Sequence, residues 1–138
     1  MSFREKSAWA MGAVMALTGA YFLWLSLAIP AGAPASLQLS AFVPYVFVVI
    51  VLSVVVQVAL ALTCGRDAKR PADERERIVL DRAGNWSGYV LGFAVITGAL
   101  QYLWLGNGNH LFVWVIGGLI LSQLAEYLFQ IALLRRGV

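Results

Sequence analysis

Charge is what this 138-residue chain has least of: 12% of its residues are Asp, Glu, Lys or Arg, while 61% are apolar or aromatic. Soluble domains carry about 25% charged residues, and at a mean hydropathy of +0.80 too few charges remain to coat a globule. That shortage excludes a soluble enzyme, a disordered chain and a nucleic-acid binder. Cysteine and histidine are nearly absent as well. Cys64 stands alone, so no intramolecular disulfide can form, and with His110 as the one histidine no zinc or haem spacing can be assembled. Neither a metal nor another cofactor is expected.

Long apolar runs fill the sequence instead. A membrane-crossing helix needs about 20 such residues. Four runs qualify, predicting helices over 8–29, 42–64, 86–105 and 111–134 in one integral membrane domain spanning 1–138. The expected fold is all-α, a polytopic four-helix membrane bundle. Arg4 and Lys6 before the first run have the form of a secretory signal, but the run is longer than the usual core of about 7–15 residues, so it reads as a retained span.

The few charges are sorted. Arg4 and Lys6 precede span one; Arg66, Lys69, Arg70, Arg75, Arg77 and Arg82 lie between spans two and three; Arg135 and Arg136 follow span four. The connections 31–41 and 106–110 contain neither Lys nor Arg. The positive-inside rule then places both termini and the loop 65–85 on the cytoplasmic side. Lipid is the first partner, and attraction to anionic headgroups accounts for the basic pI without direct nucleic-acid binding.

Spans one and three share a run, Leu17-Thr18-Gly19-Ala20 against Ile96-Thr97-Gly98-Ala99, each followed by a Trp-containing aromatic stretch. Coincidence explains such a match in apolar sequence; a duplicated helical hairpin is the alternative, and it implies a pseudo-two-fold axis along the membrane normal. Gly12 and Ala16, Gly84, Gly88 and Gly92, and Gly117-Gly118 supply small residues where helix backbones can approach. Packing within the bundle is the first reading of these glycines, and a homo-oligomer seam the second.

The loop 65–85 holds the one dense run of mixed charge. Asp73 followed by Glu76, just after Pro71, has the pattern of a capping box, and Asp73/Arg77 and Arg77/Asp81 stand one turn apart. Span three is therefore expected to begin near Glu74, with Gly84-Asn85 as a hinge at the membrane surface. Asp73, Glu74, Arg75, Glu76 and Arg77 are either a solvated, self-paired extension or a docking surface for a cytoplasmic protein, since mixed charge sets register and partner choice.

Asp73-Glu74-Arg75-Glu76, followed by Ile78, Ala83 and Ser87, resembles the D-E-R-(D/E) motif of an uncharacterised family of small four-helix bacterial membrane proteins. The resemblance covers the central loop, the start of span three and the general layout. It implies a protein of the bacterial inner membrane with a cytoplasmic partner of the helix-turn-helix transcription-regulator class, and it brings no catalytic residue.

Glu126 is the one ionisable side chain well inside a predicted span. A carboxylate at that depth costs about 2.5–3.5 kcal/mol on insertion scales, so it should face the bundle or carry a proton. Depth counting sets it level with Gln57, which predicts a Gln57–Glu126 hydrogen bond, with Gln123 on the same broad face and Glu126 leaning toward Arg135. Read structurally, the group is polar glue; read functionally, Glu126 is a proton or cation site, as in the small multidrug transporters that this layout resembles in concept. Those carry their carboxylate in the first helix, and this chain does not.

Toward the opposite surface, Tyr21, Trp24, Gln101, Tyr102 and His110 gather with other aromatics. An interfacial aromatic belt is the default; an aromatic pocket under a lid formed by 31–41, taking an apolar ligand with one polar handle, is the alternative. No nucleophile with a base stands in one span, so an enzyme is not expected. A regulatory protein that engages a cytoplasmic partner through the central loop is the leading expectation. A small proton-coupled transporter using Glu126 is the second.

Overall fold

The computed structural model describes residues 3–30, 32–68, 71 and 73–136. Lys69 and Arg70, two of the residues in the charge asymmetry, lie outside these, as do the side chains of Arg66 and Arg136. Four helices follow in order: α1 (Phe3–Ala28), α2 (Ala35–Ala68), α3 (Glu74–Leu105) and α4 (Gly108–Arg136). All four are long and apolar enough to cross a membrane. Described residues contain no strand, and the architecture is an all-α four-helix bundle.

The starts and stops have local causes. Asp73 caps α3, accepting from the Glu74 amide at 2.8 Å, and the Glu76 carboxylate accepts from the Asp73 amide at 3.3 Å, closing the capping box expected from the sequence. At its other end α3 stops at Gly106, whose left-handed backbone (φ 64°, ψ 15°) suits a residue without a side chain and whose amide donates to the Tyr102 carbonyl. Asn107 follows at once and accepts from the Asn109 amide at 2.9 Å, so two residues turn α3 into α4. Helix α2 starts at Ala35, directly behind Pro34, seven residues before the expected boundary at 42. Most of the expected lid 31–41 is therefore its first turns. Near its other end Gly65 (φ 37°, ψ −96°) breaks the helical path.

Neighbour choice departs from a closed square. Among the described residues the substantial interfaces join α3 to α4, α4 to α1, and α1 to α2, and none of comparable extent joins α2 to α3. The helices thus stand in the order α2, α1, α4, α3. A pseudo-two-fold along the normal would match the α1–α4 seam with an α3–α2 seam, which does not form. The repeated Thr-Gly-Ala runs do share one local role. A Cβ added at Gly19 would lie 2.8 Å from Ile120 Cγ2, and one added at Gly98 would lie 2.7 Å from Trp114 Cβ, so both glycines receive α4.

The face of α3 toward α4 is a stripe of small and branched residues, Val79, Ala83, Ser87, Ala94 and Gly98, all buried. Gly118 meets it so closely that an added Cβ would lie 2.6 Å from Ala94 Cβ, and the Ser122 hydroxyl donates to the Ser87 carbonyl at 3.0 Å. Gly84, Gly88 and Gly92 behave differently from the packing expected of them: nothing lies within 4 Å of an added Cβ at any of the three. Nor is there a hinge at Gly84-Asn85, since α3 runs unbroken through both.

Candidate functional site

Three regions carry the sequence-predicted site residues: the end of the bundle bearing the basic residues, the polar strip on α4, and the uncharged end.

At the basic end, the first turns of α1 hold the other three helices. Arg4 Nε donates to Glu76 of α3 at 2.9 Å, Arg135 Nε of α4 donates to Glu5 at 3.1 Å and lies 5.4 Å over the Trp9 ring, and Ser7 pairs with Gln57 of α2 at 3.3 Å. Sequence reading missed this hub, because nothing in a charged N-terminal turn says which helix each side chain will meet. It changes the standing of the five proposed docking residues. Asp73 is occupied as the cap and Glu76 is shared between the cap and Arg4, while Glu74, Arg75 and Arg77 are exposed. Neither Asp73/Arg77 nor Arg77/Asp81 closes an ion pair among the described residues; Arg4–Glu76 and Arg135–Glu5 are the pairs found there.

The Gln57–Glu126 bond does not form. Helix α2 packs on α1, so Gln57 meets Ser7 instead. Glu126 is served from its own helix, accepting from Gln123 Nε2 at 3.4 Å and Gln130 Nε2 at 3.2 Å, while Arg135 turns to Glu5. Successive helical residues turn by about 100°. Ser122 faces α3 and Tyr127 lies against Gly12 of α1, so Gln123, Glu126 and Gln130 occupy the arc between them, toward the side where α2 and α3 fail to meet.

The predicted outer aromatic residues separate. Tyr21 and Trp24 stack on each other at 6.0 Å, 50% and 63% exposed, as belt residues would be. Gln101 lines a shallow hollow with Thr97, Trp104 and Trp114, and its buried Oε1 has no hydrogen-bond partner among the described residues. Tyr102 is exposed. His110 instead lines a cavity of about 230 Å³ between α1, α2 and α4, with Gln38 and the rings of Phe22, Phe42 and Phe112. Phe42 meets Phe112 edge-on at 5.1 Å. Gln38, Phe42 and Phe112 do not stand out in the sequence, since the first falls in the expected loop 31–41 and the others are two more apolar residues of the spans 42–64 and 111–134.

Among the described residues no three His, Cys, Asp or Glu side chains come together as a metal site. Fold and hydropathy together define a multi-pass membrane protein with four spanning helices. Compared with protein-family profiles, characterised proteins and solved structures, the chain finds no match in any of the three.

Proposed function

We propose that the chain is a regulatory interaction protein of the bacterial inner membrane, with the basic end in the cytoplasm, that engages a cytoplasmic protein through the start of α3. One observation carries this reading. The first turns of α3 are fixed on one side by the Arg4–Glu76 pair and by Val79 and Ala83, at 1% and 0% exposure. At steps of three and four residues the opposite side presents Glu74, Ile78, Asp81, Arg82 and Asn85, all exposed. A rigid helix with one exposed isoleucine ringed by both signs of charge suits a protein partner, combining a small apolar anchor with charges that fix register. The resemblance of Asp73–Glu76 to the D-E-R-(D/E) family supports a helix-turn-helix regulator as the partner class.

Retention of a cytoplasmic protein by the detergent-solubilised chain tests this. Combined Glu74→Lys and Arg75→Glu should cut the retained protein by about tenfold or more. Asp73→Ala, which costs about 1 kcal/mol of helix stability through the lost cap, should leave it retained. Equal loss from both would mean that helix order, not the charged face, governs capture.

A second reading, proton-coupled transport, is favoured by the placement of Glu126 on the open side of α4, where its hydrogen-bond donors among the described residues are the Gln123 and Gln130 amides. Carboxylates inside spans commonly mark proton or ion pathways. Glu126→Gln in proteoliposomes would then lose solute-dependent proton flux.

A further inference from the structure

The cavity at His110 adjoins a second hollow. Phe22 and Val113 line the cavity, and the same two residues line a groove of about 480 Å³ that runs between α1 and α3 over α4. His110, Trp114, Gly117, Leu121 and Leu124 follow each other at steps of four and three residues, so they form one stripe along α4 with the histidine at its uncharged end. The last four of these floor the groove.

The two parts differ in chemistry. No residue lining either one is charged, so an anionic headgroup would find no counter-charge. The groove is wholly apolar apart from the Trp114 indole. The end cavity offers flat aromatic walls and four hydrogen-bonding side chains. Ser26 donates to the Phe22 carbonyl and Asn109 to the Ala33 carbonyl, whereas Gln38 and His110 make no hydrogen bond among the described residues. An open apolar groove beside an aromatic-walled head site with neutral donors fits a molecule with a long aliphatic tail and a planar, carbonyl-bearing ring. Together the volumes fall within the range of about 300–1,000 Å³ usual for small-molecule sites.

We propose that these two adjoining sites together bind a lipophilic quinone, its ring against Phe42, Phe112 and His110 and its tail passing Phe22 and Val113 to lie along Gly117 and Leu121. His110 and Gln38 donate to the ring carbonyls, and the groove selects the tail. A membrane protein so equipped reports on the quinone pool, a separate input from whatever its α3 face engages.

The test uses the full chain in detergent, with a naphthoquinone carrying a decyl tail as probe and quenching of tryptophan fluorescence as readout. Trp114 in the groove brings an emitter to the site. Quenching should saturate. His110→Ala should weaken binding by about tenfold, the scale of one lost hydrogen bond. Gly117→Leu should weaken it at least as much by filling the groove; its new Cβ would find just the Phe22 ring, at 4.0 Å, so the helices need not part. Ala20→Leu, from the exposed rim of the same groove, gives a second block should Gly117→Leu fail to fold. A monoglyceride with the same tail should not displace the probe at equal concentration. Quenching that rises linearly and equally in all variants would mean partition into the micelle and overturn the proposal. Displacement by the monoglyceride would overturn it too, leaving an acyl-chain groove with no preference for a ring.

Discussion

Gly118→Val should destabilise the bundle by about 3 kcal/mol, the upper end of what overpacking usually costs. Even the first added carbon would sit 2.6 Å from Ala94 Cβ and 3.9 Å from Ala94 Cα. Neither atom belongs to a flexible chain that can swing aside, so α3 and α4 must separate. Gly98→Val, meeting Trp114 Cβ at 2.7 Å, should behave alike. Gly88→Val has open space around it and should change stability by less than about 0.5 kcal/mol. Unfolding of the three variants in mixed detergent with rising SDS measures the contrast. Should Gly88→Val prove as damaging as Gly118→Val, the Gly84–Gly88–Gly92 stripe is packed against a second copy, and the oligomer becomes part of the fold.

Glu126→Leu should have a large effect of the opposite sign. Removing a carboxylate from mid-membrane recovers about 2.5–3.5 kcal/mol of insertion free energy. Against this, Gln130, 9% exposed, loses its acceptor, and interhelical polar contacts in bilayers bound such a loss at about 0.6–1.7 kcal/mol. The gain wins by roughly 1–3 kcal/mol. Translocon-mediated insertion of the α4 segment, with and without the substitution, reads it directly. A variant that inserts better and melts no lower identifies Glu126 as a residue kept at a cost to insertion, the usual mark of a group with a task. A variant that melts lower would assign it a structural role beyond its two amide partners.

The contrast between these sites shows where sequence reading succeeds and where it stops. The four spans and the start of α3 were legible because each has a local physical cause: apolar length, and the Asp73 and Glu76 carboxylates at capping-box spacing behind Pro71. The early start of α2 was not, because residues 35–41 include Ser36, Gln38 and Ser40, which hydropathy counting assigns to a loop although they sit comfortably in a helix. Neighbour choice was hidden for a deeper reason. In lipid, helix association rests on close packing and scattered hydrogen bonds instead of burial from water. The stripe Val79-Ala83-Ser87 and the stripe Gly84-Gly88-Gly92 therefore satisfy the same small-residue rule, and one of them alone receives α4. Gln57 found Ser7 instead of Glu126 because depth is readable from spacing and azimuth is not. Of the proposed docking residues, Glu74, Arg75 and Arg77 keep exposed side chains, while Asp73 and Glu76 are absorbed by the cap and the Arg4 pair.

The polar hub on the first turns of α1 bears on how the protein is made. Its contacts reach 50 residues ahead to Gln57, 72 to Glu76 and 130 to Arg135. As synthesis proceeds from the N-terminus, α1 is in the membrane long before its partners exist, with Arg4, Glu5 and Ser7 solvated at its basic end. Each later helix that arrives engages one of them in turn, α2 first, α3 second, α4 last. The order of translation thus becomes an order of fastening, and the last fastener, Glu5 with Arg135, closes once the fourth helix has been inserted.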